Sequence, residues 1–176
     1  DVALRDSYPV ILEIWKEWGE LTGRQYRPVE AYQMDGAKFA LLTMGSLSEV
    51  AMVAVDRMRA KGIPVGLLRL RLWRPFPFDE IRQATKGLDL LFIMDRAISL
   101  GGIGGPVCSE IKAALYQQAK RPKIVSFIAG LGGRAVAAVL NLGAGSGAYA
   151  SAFADPAAFD SLLAGVAREV SATTGK

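Results

Sequence analysis

The sequence contains no histidine and only one cysteine, Cys108, among its 176 residues. Without histidine the chain lacks the most common general base, the base of the usual catalytic triad and the most common ligand of catalytic zinc. A single cysteine can form no disulfide within the chain, which fits a reducing compartment, and we expect a cytoplasmic protein. We expect Cys108 to be a small buried side chain rather than a reactive thiol.

Long hydrophobic runs and dense clusters of charge are also missing. The most apolar stretch, residues 88–94, is the size of a strand and far short of the roughly 20 residues that a membrane helix needs. The net charge is +4, but the basic residues are scattered, and the densest group is Arg69, Arg71 and Arg74. That group is too small for a nucleic-acid footprint. We therefore expect a globular protein that binds neither membranes nor nucleic acids.

A regular alternation of buried strands and helices occupies the middle of the chain. The strands are nearly continuous apolar runs, which suits parallel strands that are covered on both faces. This order predicts an α/β fold with an open, mostly parallel sheet and helices on both of its faces. The predicted strands are residues 38–44, 64–72, 88–94 and 122–129, and the predicted helices between them are 47–61, 79–87 and 106–119.

Two helices carry terminal signals. Ser46 and Glu49 have the spacing of a capping box at the start of the first helix of the sheet domain. Gly62 is the type of residue that ends such a helix. Near the end of the chain, a capping aspartate followed by proline predicts a further helix over residues 156–171.

The first residues differ in pattern from the rest. Residues 1–37 are interpreted as an N-terminal helix and an extended connector from a larger chain, and residues 38–176 as the α/β domain. The chain begins with aspartate rather than methionine, so we expect a piece of a longer protein, with proteolytic maturation as the alternative. The helix, over 8–21, is expected to dock on another domain or chain, or else to pack on its own sheet. Its apolar side chains are Val10, Ile11, Ile14, Trp15, Trp18 and Leu21.

A glycine-rich stretch, "DRAISLGGIGGP" over residues 95–106, follows the third predicted strand. Binding loops in open α/β sheets lie at the carboxyl ends of strands, and a helix that starts at Pro106 would direct its positive end at an anion. We expect the stretch to be first a close-packing turn and second an anion site. In the alternative, Asp95 and Arg96 cap loops and pair with neighbours. The candidate contacts to an anion or to CoA are Gly101, Gly102, Gly104, Gly105, Arg96 and Arg134.

A second glycine motif, "GLGGRA" over residues 130–135, matches the GxGxxG/A spacing of dinucleotide-binding loops. That fingerprint belongs in the first strand-to-helix turn of its unit and needs an acidic residue at the end of a following strand. Here it follows the last clear strand, so the match is formal. A free-standing nucleotide- or flavin-binding α/β module that uses the two glycine loops stays the alternative interpretation.

Four ordered phrases at strand ends resemble the 2-oxoacid:ferredoxin oxidoreductase family, in its α subunit. The resemblance covers about residues 26–134, and it is more specific than any single glycine pattern. One departure is Ala135, where the family usually has aspartate. The matching phrases are Met44-Gly45-Ser46, Arg74-Pro75-Phe76-Pro77, Asp95-Arg96 with the glycines after it, and 130–134.

The resemblance implies a domain similar to the C-terminal domain of transketolase, in an enzyme that decarboxylates a 2-oxoacid to an acyl-CoA and reduces ferredoxin. It implies thiamine diphosphate, magnesium and iron–sulfur clusters for the whole enzyme, and none of these in this part of it. One cysteine cannot hold a four-cysteine cluster. The resemblance therefore predicts a non-catalytic assembly domain, whose partners are the thiamine-binding and iron–sulfur domains and subunits, with CoA as a further candidate.

Overall fold

The computed structural model describes residues 2–131, which contain five strands and four helices. The four strands expected from buried apolar runs are confirmed, each within two residues of its predicted ends. The predicted helix over 156–171 lies outside the described residues. The elements are α1 Val2–Thr22, β1 Val29–Tyr32, β2 Phe39–Met44, α2 Leu47–Ala60, β3 Val65–Leu70, α3 Phe78–Ala84, β4 Leu90–Asp95, α4 Pro106–Leu115 and β5 Lys123–Ile128.

The strands form one sheet in the order β1-β3-β2-β4-β5. Strands β2 to β5 are parallel, whereas β1 pairs antiparallel with β3, with Val29 opposite Leu70 and Tyr32 opposite Leu67. Strand β1 lies in the stretch interpreted as an extended connector, and the sequence analysis did not predict that this stretch pairs with the sheet. This strand is only four residues long and mostly half-buried, so it lacks the apolar run that identified the other strands.

Helices cover both faces of the sheet, as predicted. Helices α3 and α4 pack on one face, where Leu42, Leu68 and Leu91 meet Ile81 and Ile111 in a single buried cluster. Helix α2 contacts β2 and β3, whose alternating side chains place Leu41 and Leu67 on the other face. The core therefore has two layers around a central parallel sheet, and the described chain forms part of one compact unit. Among residues 2–131, no helix is both long and apolar enough to span a membrane.

Helix α2 begins differently from the prediction and ends as predicted. Ser46 already has helical backbone angles (φ −63°, ψ −20°) and makes no capping hydrogen bond through its side chain. A capping side chain requires extended angles, so the predicted capping box with Glu49 was wrong. At the other end Gly62 has φ +79°, and its N–H donates to the Arg59 carbonyl at 2.9 Å. This bond and the positive φ are typical of a glycine-terminated helix.

Candidate functional site at the carboxyl edge of the sheet

The strand order places a crevice between the carboxyl ends of β2 and β4. Strand β2 leads through α2 to β3 on one side, whereas β4 leads through α4 to β5 on the other. Ligands of open α/β sheets bind outside the carboxyl ends of strands where the connections diverge in this way. Both the β2–α2 turn and the glycine-rich β4–α4 loop lie at this point.

The glycine-rich loop, residues 96–105, is a compact turn with its own internal hydrogen bonds. The Ser99 N–H donates to the Gly104 carbonyl at 2.9 Å, and the Gly102 N–H donates to the Ser99 carbonyl at 2.8 Å. Gly101 and Gly104 have φ values of +71° and +144°, which side chains other than glycine's rarely adopt. At Gly102 a Cβ would lie 2.8 Å from the Ser99 Cβ. The glycines are therefore needed to close this turn.

Asp95 supplies the anion at the start of α4. This residue ends β4, is only 2% exposed, and accepts the backbone N–H groups of Val107 at 2.9 Å and Cys108 at 3.1 Å. A Cβ at Gly105 would lie 2.1 Å from the nearer carboxylate oxygen of Asp95. Two N–H groups at the positive end of the helix are thus satisfied by the chain's own carboxylate. Asp95 thus caps the start of helix α4, whereas the expected alternative had Asp95 and Arg96 cap loops and pair with neighbours. Cys108 is buried as predicted.

The surface of the same loop is apolar. The side chains of Leu100 and Ile103 are each 94% exposed, and Ile98 is half exposed. Arg96 is exposed at the start of the loop and lines a cavity of about 150 Å³ at the crevice. The structure therefore brings Arg96 and the four glycines together on one loop, whereas Arg134 lies outside the described residues. Contact of these residues with an anion or with CoA stays a prediction. The remaining cavity lining is Met44, Leu47, Trp73, Met94, Asp95, Ala97, Pro106 and Val107.

A larger hollow of about 390 Å³ lies at the carboxyl ends of β2 and β3, and sequence analysis did not predict it. Arg69 and Arg71 line it. Glu30 lies 3.5 Å from the Arg69 guanidinium and 2.9 Å from that of Arg71, and the Glu49 carboxylate also pairs with Arg69. Two arginines and two glutamates thus balance in charge. The period of a strand places residues 69 and 71 on one face, and this signal could have identified the pair.

A polar clamp fixes the proline-containing segment after β3 to helix α4. The Glu110 carboxylate accepts hydrogen bonds from the Trp73 indole at 2.8 Å and from two nitrogens of the Arg74 guanidinium at 2.7 and 2.5 Å. The bonds from Arg74 lower the pKa of Glu110 below its ordinary value, against the opposing effect of partial burial, and Trp73 adds to the lowering. This bidentate contact holds the wall of the crevice in place.

The acidic side chains near the crevice are held by partners of the chain itself. The carboxylates of Glu30, Glu49 and Glu110 are paired with arginines, and Asp95 is bound by backbone N–H groups. Within residues 2–131 no three histidine, cysteine or acidic side chains lie close enough together to hold a metal ion. The arrangement can thus position loops and bury apolar tips against a neighbour.

The strand order and the helices on both faces define a doubly wound α/β domain with its longest loop at the carboxyl edge of the sheet. Residues 37–139 match the model of the pyruvate:ferredoxin oxidoreductase core domain II. The chain belongs to this family, and the resemblance found in the sequence is confirmed.

The curated relatives include enzyme subunits. Pyruvate synthase subunit PorA of Thermotoga maritima is 36% identical over 132 residues, which are 75% of this chain and 33% of that protein. The PorA subunit of Pyrococcus abyssi is 37% identical over 76% of this chain and 34% of its own length. The alpha subunit of the NADH-dependent phenylglyoxylate dehydrogenase of Aromatoleum evansii is 32% identical over 74% of this chain and 31% of its own. The chain spans about a third of the length of these relatives.

One solved structure is also similar. It is the 2-oxoglutarate:ferredoxin oxidoreductase from Magnetococcus marinus with 2-oxoglutarate, coenzyme A and succinyl-CoA bound. The alignment has a TM-score of 0.43 and 19% identity, and it covers 66% of this chain and 19% of that one. A likeness of this extent decides nothing about ligands.

Proposed function

We propose that this chain is a non-catalytic assembly domain in the α subunit of a 2-oxoacid:ferredoxin oxidoreductase, with pyruvate as the oxoacid. The complete enzyme would decarboxylate the oxoacid oxidatively, form an acyl-CoA and pass the electrons to ferredoxin. Family membership supports this proposal. Pyruvate is favoured because the pyruvate synthase subunits compared above are 36–37% identical to the chain, whereas the phenylglyoxylate dehydrogenase subunit is 32% identical.

The observation that carries the assembly role is the state of the glycine-rich loop. Its helix is already supplied with an anion by Asp95, and its backbone is closed by bonds of Ser99, so its shape needs no ligand. Its tip presents Leu100 and Ile103 almost completely to solvent. Isolated aliphatic side chains that project from a rigid loop gain free energy when a neighbouring protein surface covers them.

The iron–sulfur clusters that the family implies do not fit this chain, and the family resemblance assigns magnesium-bound thiamine diphosphate to other domains. An iron–sulfur cluster with four cysteine ligands cannot be held by a chain with one cysteine. We therefore place the chemistry in other domains and subunits of the proposed enzyme, and this domain in a role that orients them.

The direct test compares the complete enzyme with the 176-residue chain by itself. We expect the complete enzyme to reduce ferredoxin, or a dye, in the presence of pyruvate and CoA, and the chain alone to show no turnover. The same preparation tests the alternative of a flavin-binding module, because a bound flavin would make the purified chain yellow. Turnover by the chain alone, or a stoichiometric flavin, would contradict the proposal.

The substitution Gly104→Ala in the complete enzyme tests whether the glycine-rich loop serves assembly or CoA binding. Because φ at Gly104 is +144°, alanine strains the turn, and we expect weaker assembly with an unchanged KM for CoA in the enzyme that forms. Gly87→Ala is the matched control, since Gly87 also has a positive φ but precedes β4 at the opposite edge. Normal assembly with a several-fold higher KM for CoA would instead assign the loop to CoA.

A further inference from the structure

Helix α1 is attached to the sheet domain along one side only. The Tyr8 hydroxyl donates to the Glu80 carboxylate on α3, and the Trp15 and Tyr26 rings meet edge to face with centroids 6.1 Å apart. Gly19 is the one fully buried residue of the helix, and a Cβ there would lie 2.8 Å from the Gln25 amide nitrogen. At about 3.6 residues per turn, these positions share one side of the helix.

A second side of α1 forms an exposed apolar ridge, defined as Val10, Ile14, Trp18 and Leu21. Three of its members are spaced four residues apart and the fourth is three residues further on, so they stack along one line of the helix. Their side chains are between 46% and 83% exposed. The two tryptophans expected to share one docking face are thus divided, because Trp15 contacts Tyr26 whereas Trp18 stays open to solvent.

An acidic stripe runs beside this ridge. Asp6, Glu13, Glu17 and Glu20 are all exposed, and the helical period places them on the flank of the ridge that lies away from Trp15. Within this stripe Glu20 pairs with Lys16 at 4.0 Å, and both side chains are largely exposed. The stripe therefore keeps most of its negative charge available for a partner.

We propose that the ridge and its acidic stripe dock into an apolar groove, bordered on one side by lysine and arginine, on another domain of the same oxidoreductase. The inference rests on the proposed function. It also follows from charge complementarity, because an acidic flank directs the ridge toward a basic border. The aligned part of this chain covers only about a third of each PorA relative, so those proteins contain further domains that such a helix would contact.

Other occupants fit the ridge less well. An interfacial membrane helix carries lysine and arginine on its polar face to match anionic lipids, whereas this flank is acidic. A second copy of the chain would bring another ridge with the same acidic border, so a self-pair lacks the basic partner residues. The mode that remains is a helix in a groove of an unlike protein surface.

The test replaces ridge residues in the complete enzyme. Ile14→Ser combined with Trp18→Ser removes apolar area from the ridge, and Leu12→Ser is the matched control, since Leu12 is an exposed aliphatic residue of the same helix off the ridge. We expect the double variant to lower the association constant of the subunit that contains this chain at least tenfold. Size-exclusion chromatography with light scattering measures this constant. The association constant of the control should stay within about twofold of that of the unchanged enzyme. Both variants should have nearly the same melting temperature as the unchanged chain.

A second set of variants tests the charge of the acidic stripe. Glu13→Lys combined with Glu17→Lys reverses charges of the stripe, and Lys16→Glu is the control. The double reversal should weaken assembly, and the loss should shrink as salt is raised. Normal assembly of the ridge variant would overturn the inference. So would a concentration-dependent dimer of the chain that the ridge variant abolishes, or sedimentation of the chain with phosphatidylserine vesicles.

Failure of the inference is distinguishable from failure of the proposed function. If the unchanged enzyme reduces ferredoxin with pyruvate while the ridge variants assemble normally, the inference fails and the proposed function stands. If the unchanged complex shows no oxoacid-dependent reduction, the proposed function fails, and the assembly measurement still decides whether the ridge is an interface.

Discussion

Helices α2 and α4 begin at the same edge of the sheet, yet their first turns are satisfied in opposite ways. Helix α4 follows a ten-residue loop and receives the buried Asp95 carboxylate at the N–H groups of Val107 and Cys108. Helix α2 follows a two-residue turn in which Ser46 makes no capping hydrogen bond, and its first turn lines the larger hollow beside Arg69.

The contrast shows that a glycine-rich loop at a helix start can receive its anion from the chain itself. The loop with four glycines encloses an anion that belongs to the chain itself, because Gly105 lets the Asp95 carboxylate approach closely. The short turn after β2 has one glycine and faces an open hollow. The sequence of a loop therefore indicates whether the backbone can come close to a group, but not whether the chain itself supplies that group.

The largest effect is expected for Asp95→Ala. The substitution removes two charge-assisted hydrogen bonds from a buried site and leaves two N–H groups of α4 unpaired, at a cost of about 3 kcal/mol in the free energy of unfolding. Asp95→Asn keeps an acceptor and should cost less. Ser46→Ala on α2 is the matched control and should stay within about 0.5 kcal/mol, since no bond is lost. Urea unfolding measures the free energy of unfolding of all three variants. Equal losses at Asp95 and Ser46 would contradict the difference between the two helix starts.

The next effect concerns space around the same carboxylate. In Gly105→Ala the new methyl group would overlap the Asp95 carboxylate, although φ at Gly105 is an ordinary −73°. We expect a loss of about 2 kcal/mol from overpacking. Gly45→Ala at the start of α2 meets no atom within 4 Å and should cost only the strain of its positive φ, about 1 kcal/mol.

A double variant at positions 95 and 105 measures how much of the cost at Gly105 comes from the Asp95 side chain. If the cost at Gly105 comes from the Asp95 side chain, Gly105→Ala should cost less once Asp95 is replaced by glycine, which also removes the Cβ that would lie 2.5 Å from the new methyl group. The cost at Gly45 should not change. Additive losses at positions 95 and 105 would show that the cost of Gly105→Ala in the free energy of unfolding has another cause.

A smaller effect is expected for Glu110→Gln, which weakens the clamp between α4 and Arg74. Because the pKa of Glu110 is lowered in the folded chain, its charged form stabilises the fold above the unfolded pKa near 4.5. This contribution is lost as the pH falls from there through the lower folded pKa. At neutral pH we expect about 1 kcal/mol, since Arg74 is half exposed.

The control for the clamp is Glu49→Gln on α2, whose carboxylate is more exposed and should contribute less. The measurement is the difference in free energy of unfolding between each variant and the unchanged chain at pH 7 and at pH 3. The difference for Glu110→Gln should be smaller at pH 3 than at pH 7. A difference that grows toward low pH would reverse the assigned sign.

Particular elements show how far the sequence alone could reach. Strands β2 to β4 were predictable because a strand between two helix layers must be apolar on both faces, and this leaves continuous runs. Strand β5 is an edge strand and only partly buried, but its sequence still has a mostly apolar run. Strand β1 was not, because an edge strand of four residues with half its surface open needs no such run. The position of the glycine-rich loop followed from the strand order. The inward turn of Asp95 did not, because it depends on the spacing between β4 and α4, which only the packed helix defines.

The smallest effect on stability, and the clearest one on assembly, is expected for Leu100→Ser with Ile103→Ser. Both side chains are 94% exposed, so their loss should change the free energy of unfolding by no more than about 0.5 kcal/mol. Val53→Ser is the control, since Val53 is an exposed aliphatic residue on α2, away from the loop. If the loop tip is a packing surface, the loop variant should reduce assembly of the complete enzyme, measured by light scattering, while the α2 variant leaves it unchanged. Equal assembly of the two variants would mean that the α4 loop is closed for its own stability alone, and the contrast between the two helix starts would then have no consequence for partners.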